Sequence, residues 1–172
     1  MIHKTLLKEA YFRIIVPHYA MMPKSGMGAA TQGGRYNRQG QEALYLSLDA
    51  PTAMAEYQQD NPFMSPGTIC TFFVEGLVVA DISAGYDPKQ WPPLWADYQV
   101  DWRALRFGSK IEPPTWFMGD DVINAGLAGI LFPSQARLGG TNLVIFNSSG
   151  LPDEHLQVHD PDGLLAKIEQ KK

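Results

Sequence analysis

Short apolar runs punctuated by proline and glycine set the rhythm of this chain, and they predict strands more often than helices. Residues 10–16 read as a strand stopped by Pro17. Residues 43–47, Ala-Leu-Tyr-Leu-Ser, read as a second, and strand alternation places Tyr45 on the face opposite Leu44 and Leu46. Residues 68–74 and 77–82 are rich in β-branched and aromatic side chains, and the break at Glu75-Gly76 predicts a hairpin between them. Residues 129–132 and 142–146 form two more strands around the loop 133–141. Asp49 before Ala50-Pro51-Thr52 is a helix start, with a capping residue and then proline in the first turn. That helix runs to about Gln59, before Asn61-Pro62. Short helices are expected over 101–107 and 120–125, and an amphipathic one with a lysine-rich end over 160–172. Residues 18–34 show no clean period and read as a long loop crossing one face, a feature often tied to function. Residues 83–100 are loop-like, with Pro88, Pro92 and Pro93. The irregular order of elements favours an α+β fold with mixed or antiparallel sheets and short helices over a doubly wound sheet.

Composition narrows the class. A chain of 172 residues is expected to be one domain. It is long enough to need no disulfide or metal staple. With 45% hydrophobic and 19% charged residues it is globular rather than disordered. The net charge of -4 argues against direct nucleic-acid binding, which needs a basic face, while leaving room for a local basic pocket. The single cysteine, Cys70, excludes an internal disulfide and reads as a small buried residue. No apolar stretch has the length of a signal peptide or the ~20 residues of a membrane span, so the expectation is a cytoplasmic protein with no membrane partner.

Several familiar signatures fail. Gly26-Met27-Gly28-Ala29-Ala30-Thr31 has threonine where the third glycine of a dinucleotide-binding turn belongs, and no strand immediately precedes it. His155 and His159 have helical spacing but lie in a proline-bounded polar stretch, so a surface position is expected rather than a metal site. No serine sits in a nucleophile elbow.

What survives is a set of separated residues. Arg35 follows Gly33-Gly34, which permit unusual backbone angles or close approach of a ligand, and its planar fork of donors matches phosphate oxygens. The alternative is an ordinary turn with Arg35 on the surface. Arg38, with no glycine pair before it, is the weaker candidate. Tyr45 presents a flat ring to a ligand or packs against a neighbouring strand. Glu56, among the small or apolar Ala53, Met54 and Ala55, faces a ligand or solvent. Ser134, after Gly-Ile-Leu-Phe-Pro, bonds a ribose or phosphate or caps a turn. Arg137 close to Arg35 would favour phosphate as a reactant. Trp91-Pro92-Pro93-Leu94-Trp95 is either an exposed interaction anchor or a segment packed over the core.

Taken in order, Gly-Gly-Arg-Tyr-Asn-x-x-Gly, Ala-Leu-Tyr-Leu-Ser, Thr-Ala-x-Ala-Glu, and Gly-Ile-Leu-Phe-Pro-Ser with Gly-x-Asn-Leu-Val-Ile-Phe resemble the RES family, the toxins of RES–Xre toxin–antitoxin systems. The resemblance spans about residues 11–146, and the family's arginine, glutamate and serine match Arg35, Glu56 and Ser134. It implies a fold similar to the ADP-ribosyltransferase toxins such as diphtheria toxin, NAD+ as substrate and no metal. It also implies an Xre-type antitoxin that blocks the site. Arg35, Tyr45 and Glu56 would then be catalytic, with Gly34, Tyr36, Asn37 and Ser134 joining Arg35 and Tyr45 in binding the dinucleotide. Tyr36 stands where many members have tryptophan. The acceptor could be phosphate, water or a protein side chain; the last would make the chain a mono-ADP-ribosyltransferase. A non-catalytic nucleotide-binding module is a further alternative, disfavoured because a carboxylate beside a polyanion hinders binding unless it has a chemical task.

Overall fold

The computed structural model describes residues 1–59 and 61–165. Eight strands, β1 (His3–Thr5), β2 (Glu9–Ile15), β3 (Ala43–Ser47), β4 (Thr68–Val74), β5 (Val78–Asp81), β6 (Gly129–Pro133), β7 (Thr141–Phe146) and β8 (Leu156–Val158), form one sheet in the order β1-β5-β6-β7-β3-β2-β4-β8. Every pairing is antiparallel except β5 with β6. Among the elements bounded within the described residues, three α-helices accompany it: α1 (Met27–Gln32), α2 (Ala50–Gln58) and α3 (Pro114–Asn124). The α+β expectation holds.

The expected hairpin between the strands on either side of Glu75-Gly76 is not formed. β4 pairs with β2 and β8, whereas β5 pairs with β1 and β6. The chain bends here instead of reversing. Gly76 takes a positive φ of 74°, its N–H donates to the Leu6 carbonyl at 2.8 Å, and Leu6 N–H donates to Leu77 at 2.8 Å. Pairing register is the same on both sides of the bend, with Glu9 opposite Val74 and Thr5 opposite Val78. Residues 3–15 and 68–81 are thus one long bent ribbon. One half adds to β6 and the other to β3, so the same two stretches of chain stand on both sides of β6-β7-β3, with β8 added outside β4. The sheet curls around a core that includes Leu6, Phe72, Val79, Leu131 and Ile145.

Alternation then sorts the side chains. Leu44, Leu46, Leu143 and Ile145 enter that core. Their neighbours Ala43, Val144 and Phe146 enter a second one on the opposite face. Central strands buried on both faces read as nearly continuous apolar runs, which is why β3, β6 and β7 were predicted with almost their observed limits. The long connection from β5 to β6 covers the second face. A parallel pair requires such a crossover, and this one brings Trp91, Trp95, Met118 and Val122 onto Ile130 and Phe132. The Trp-Pro-Pro-Leu-Trp segment is accordingly packed over the core: Trp95 is fully buried and its ring lies 4.5 Å from that of Trp91. It is not an exposed anchor.

Other differences have local causes. Residues 18–34 carry the end of a 3-10 turn, Pro17–Tyr19, and the helix α1, too short for a periodic signal. α3 starts well before residue 120, because Pro113-Pro114 opens it and Pro114 supplies its first helical residue. The segment expected as a helix over 101–107 becomes a wide π-type turn, Ala104–Ser109. β1 and β8 were not foreseen, since three-residue strands carry no pattern of their own. Most of the helix expected over 160–172 lies outside the described residues. Among those residues no helix is long and apolar enough to cross a membrane. Cys70 is buried, as expected.

α3 is seated by a missing side chain. A Cβ at Gly119 would overlap the carbonyl oxygen of Tyr36. Gly119→Ala is expected to cost about 3 kcal/mol as overpacking, lowering the thermal midpoint by roughly 6–12 °C for a chain of this size. A melting curve of the variant checks this.

Candidate active site

The loop that carries Arg35 is held from three directions. Gly33 closes α1 with φ 86°. Gly34 N–H donates to the Asn37 carbonyl at 3.0 Å, and the indole N–H of Trp116 on α3 donates to the Gly34 carbonyl at 2.8 Å. From β3, the Tyr45 hydroxyl donates to Asn37 Oδ1 at 2.9 Å and accepts the Tyr36 N–H at 2.9 Å. Asn37 is buried and spends its amide N–H groups on the carbonyls of Ala29, Arg38 and Gln41. Side chains at the two glycines would collide with this scaffold: a Cβ on Gly33 would lie 2.8 Å from the Trp116 ring, and one on Gly34 would lie 2.6 Å from the Tyr45 hydroxyl. The glycine pair therefore permits close approach of neighbouring side chains to the backbone.

Arg35 itself lines a cavity of about 380 Å³. Its guanidinium donates from Nη1 to the Val100 carbonyl at 3.0 Å and from Nη2 to Gln135 Oε1. Both acceptors are neutral, and among the described residues no carboxylate pairs with it. Burial pushes its pKa below the usual arginine value, while Tyr36, Tyr45 and Glu56 oppose that shift. The group nonetheless stays protonated.

Glu56 enters from the other side. Asp49 caps α2, accepting the Thr52 N–H at 2.8 Å, and with Pro51 in the first turn this fixes where the helix begins. Two turns on, Glu56 Oε1 accepts a hydrogen bond from Ser134 Oγ at 2.7 Å and another from Asn142 Nδ2 at 2.6 Å. Asn142 is oriented in turn by Ser47, whose hydroxyl donates to Asn142 Oδ1 at 2.8 Å. Glu56 Oε2 has no partner among the described residues, and the residue lines the same cavity as Arg35 and Tyr45. The carboxylate is aimed through one oxygen and available through the other.

Arg35, Tyr45, Glu56 and Gly34 thus share one cavity, with Ser134 at its edge through Glu56. Tyr36 and Asn37 do not line it. Both are about 1% exposed and act behind the wall, where they hold Tyr45 and the Arg35 loop. Arg137 does not line the cavity with Arg35; it pairs with Asp49 at 3.3 Å and donates to Thr52 Oγ1 at 3.1 Å. Arg38 is consumed by Glu112 at 2.7 Å and Asp120 at 2.9 Å, and lies over the Phe117 ring. His155 and His159 flank β8, the first against the Glu75 carbonyl and the second against the Phe73 ring.

The sequence reading missed Asn142, Ser47, Gln135, Trp102 and Arg103, all of which line the cavity. Asn142 and Ser47 lie inside quoted motifs, facing each other across β3 and β7. An asparagine and a serine buried within largely apolar central strands were the available signal.

Burial raises the Tyr45 pKa well above its ordinary value of 10.0, the bond from Tyr36 N–H and the charge of Arg35 only partly offsetting this. A phenol whose pKa is raised by folding adds stability below its unfolded pKa of 10, and that contribution drains away as the pH climbs through the folded value. Tyr45→Phe is therefore expected to be less stable than the parent by about 1–3 kcal/mol at about pH 8. The gap should narrow at about pH 11; melting midpoints at the two pH values test it.

Residues 10–166 match the RES domain family model. A protein of Yersinia enterocolitica described as "Toxin Res" is 24% identical over 130 residues, covering 74% of this chain and 80% of that protein. Among solved structures, the Mycobacterium tuberculosis (M.tuberculosis) MbcT-MbcA toxin-antitoxin complex contains a chain with a TM-score of 0.65 and 21% identity, over 92% of this chain and 85% of that one. The match extends through the loop of Arg35, the helix of Glu56 and the strand before Ser134, so this chain belongs to the RES domain family.

Proposed function

We propose that this chain is the toxin of a toxin–antitoxin pair and that it acts in the cytoplasm by cleaving the nicotinamide–ribose bond of NAD+. The observation that carries this reading is the half-held carboxylate of Glu56 facing a cavity whose other charges are arginines. The description of the Yersinia enterocolitica relative as a toxin and the toxin–antitoxin complex among the fold neighbours support the biological role. They also support an antitoxin as the partner, and the resemblance to RES–Xre systems makes it one of Xre type.

Nicotinamide in NAD+ carries positive charge and leaves neutral, so the bond needs no general acid. Cleavage builds oxocarbenium character on the ribose. Glu56 Oε2 supplies the negative charge opposite that developing cation, and the bonds from Ser134 and Asn142 to Oε1 keep it from turning away. Arg35 takes the pyrophosphate, exchanging the neutral acceptors Val100 and Gln135 for charged oxygens. Tyr45 offers its ring to the nicotinamide, its hydroxyl being committed to the loop behind. The acceptor then adds at the ribose carbon and gives up its proton. Water yields ADP-ribose, phosphate yields ADP-ribose 1″-phosphate, and a protein side chain yields a modified protein.

The test is mass spectrometry of NAD+ incubated with the purified chain, with and without phosphate, beside Glu56→Ala. Nicotinamide release by the parent, reduced at least about a hundredfold in a folded variant, is the expected result. The co-product names the acceptor. Undiminished release by Glu56→Ala would remove Glu56 from the mechanism. Expression should arrest growth, with relief by Glu56→Ala or by co-expression of an antitoxin that binds the chain.

A further inference from the structure

A second cavity, of about 460 Å³, adjoins the first, and the two share a wall at Arg13 and Ile14. They meet where β2 leaves β3: a single bridge, Phe12 opposite Ser47, joins these strands, while β2 pairs along its whole length with β4. Arg13 donates from Nη1 to the carbonyls of Pro23 at 3.1 Å and Ser25 at 2.9 Å. Among the described residues, Nε and Nη2 have no partner and no carboxylate pairs with the group. The two carbonyls satisfy only part of a half-buried cation, and an anion would complete it.

The rest of the second chamber is of a different character. Among the described residues Arg13 is its only charged wall residue; Ile14, Val16, Tyr19, Met22 and Met27 also line it. Tyr19, Met22 and Met27 are each more than half exposed, an unusual expense of apolar surface for a cavity left open to water. Thioethers beside a tyrosine make an adaptable bed for a flat ring. A flat, uncharged heteroaromatic group with a phosphate on the side of Arg13 is a purine nucleotide.

We propose that this chamber takes the adenosine end of the dinucleotide. Arg13 holds the phosphate next to adenosine, and Arg35 holds the phosphate next to the nicotinamide ribose. The assignment rests on the reading of NAD+ as substrate and adds where its second half lies. It also sets specificity: nicotinamide mononucleotide, which lacks the adenosine, makes no use of the chamber.

Gly28 gives a direct test. It lines the chamber from α1, and a Cβ added there meets nothing within 4 Å, so Gly28→Phe fills the space without disturbing the fold. Thr31→Trp, on the same wall and exposed, is a second obstruction made independently. Binding of 5′-AMP to the full chain is measured by calorimetry, and nicotinamide release from NAD+ and from nicotinamide mononucleotide in parallel. The parent should bind 5′-AMP, and both variants should bind it at least about tenfold more weakly. The KM for NAD+ should rise by a similar factor with kcat nearly unchanged, and turnover of the mononucleotide should not change. No binding of 5′-AMP by the parent, or equal binding by the parent and both folded variants, would overturn the assignment. A parent that binds 5′-AMP in the chamber yet releases no nicotinamide would retain the assignment and remove the cleavage reaction instead.

Discussion

The hydroxyl of Tyr45 is the joint on which the site depends. It is the point where the sheet takes hold of the glycine-rich loop, receiving the Tyr36 N–H and donating to the Asn37 side chain. Trp116 grips the same loop from α3 through the Gly34 carbonyl. Between these two anchors Arg35 has little backbone freedom, so its guanidinium stands at a fixed place on the cavity wall. A flexible arginine would lose side-chain entropy on binding an anion; one held in advance loses less.

Charge placement follows from the same scaffold. A chain with a net charge of -4 puts Arg13, Arg35 and Arg103 on the wall of one cavity against a single carboxylate, Glu56. Two arginines outside the cavity are neutralised where they stand, Arg38 by Glu112 and Asp120 and Arg137 by Asp49, while Arg106 lies over the Trp116 ring. The cavity gathers three arginines that no carboxylate among the described residues pairs with, and Glu56 is held among these cations by neutral donors. An anionic substrate that develops a cation during reaction meets both requirements.

Much of this was legible in the sequence, because the site residues sit on regular elements. Tyr45 lies on a strand whose alternation is intact, Glu56 on a helix with a capping aspartate and an early proline, and Ser134 directly after an apolar strand. Arg35 was marked by its glycines: Gly33 takes the unusual backbone angle that reading allowed, and both glycines also make room for Trp116 and Tyr45. What was not legible depends on distance along the chain. Asn142 reaches Glu56 across 86 residues, and no local pattern announces such a pair. Tyr36 and Asn37, expected among the residues that bind the dinucleotide, stand behind the wall for the same reason: adjacency in a motif does not say which side chain faces the cavity. The bent ribbon was misread as a hairpin because a glycine between two strands marks a change of direction without giving its angle.

The measurement that bears most directly on the account is a crystal structure of Glu56→Gln with NAD+. The account predicts the nicotinamide ribose carbon beside residue 56, the nicotinamide ring on Tyr45 and the pyrophosphate on Arg35. A dinucleotide bound elsewhere, or bound here with its adenine against residue 56, would contradict it.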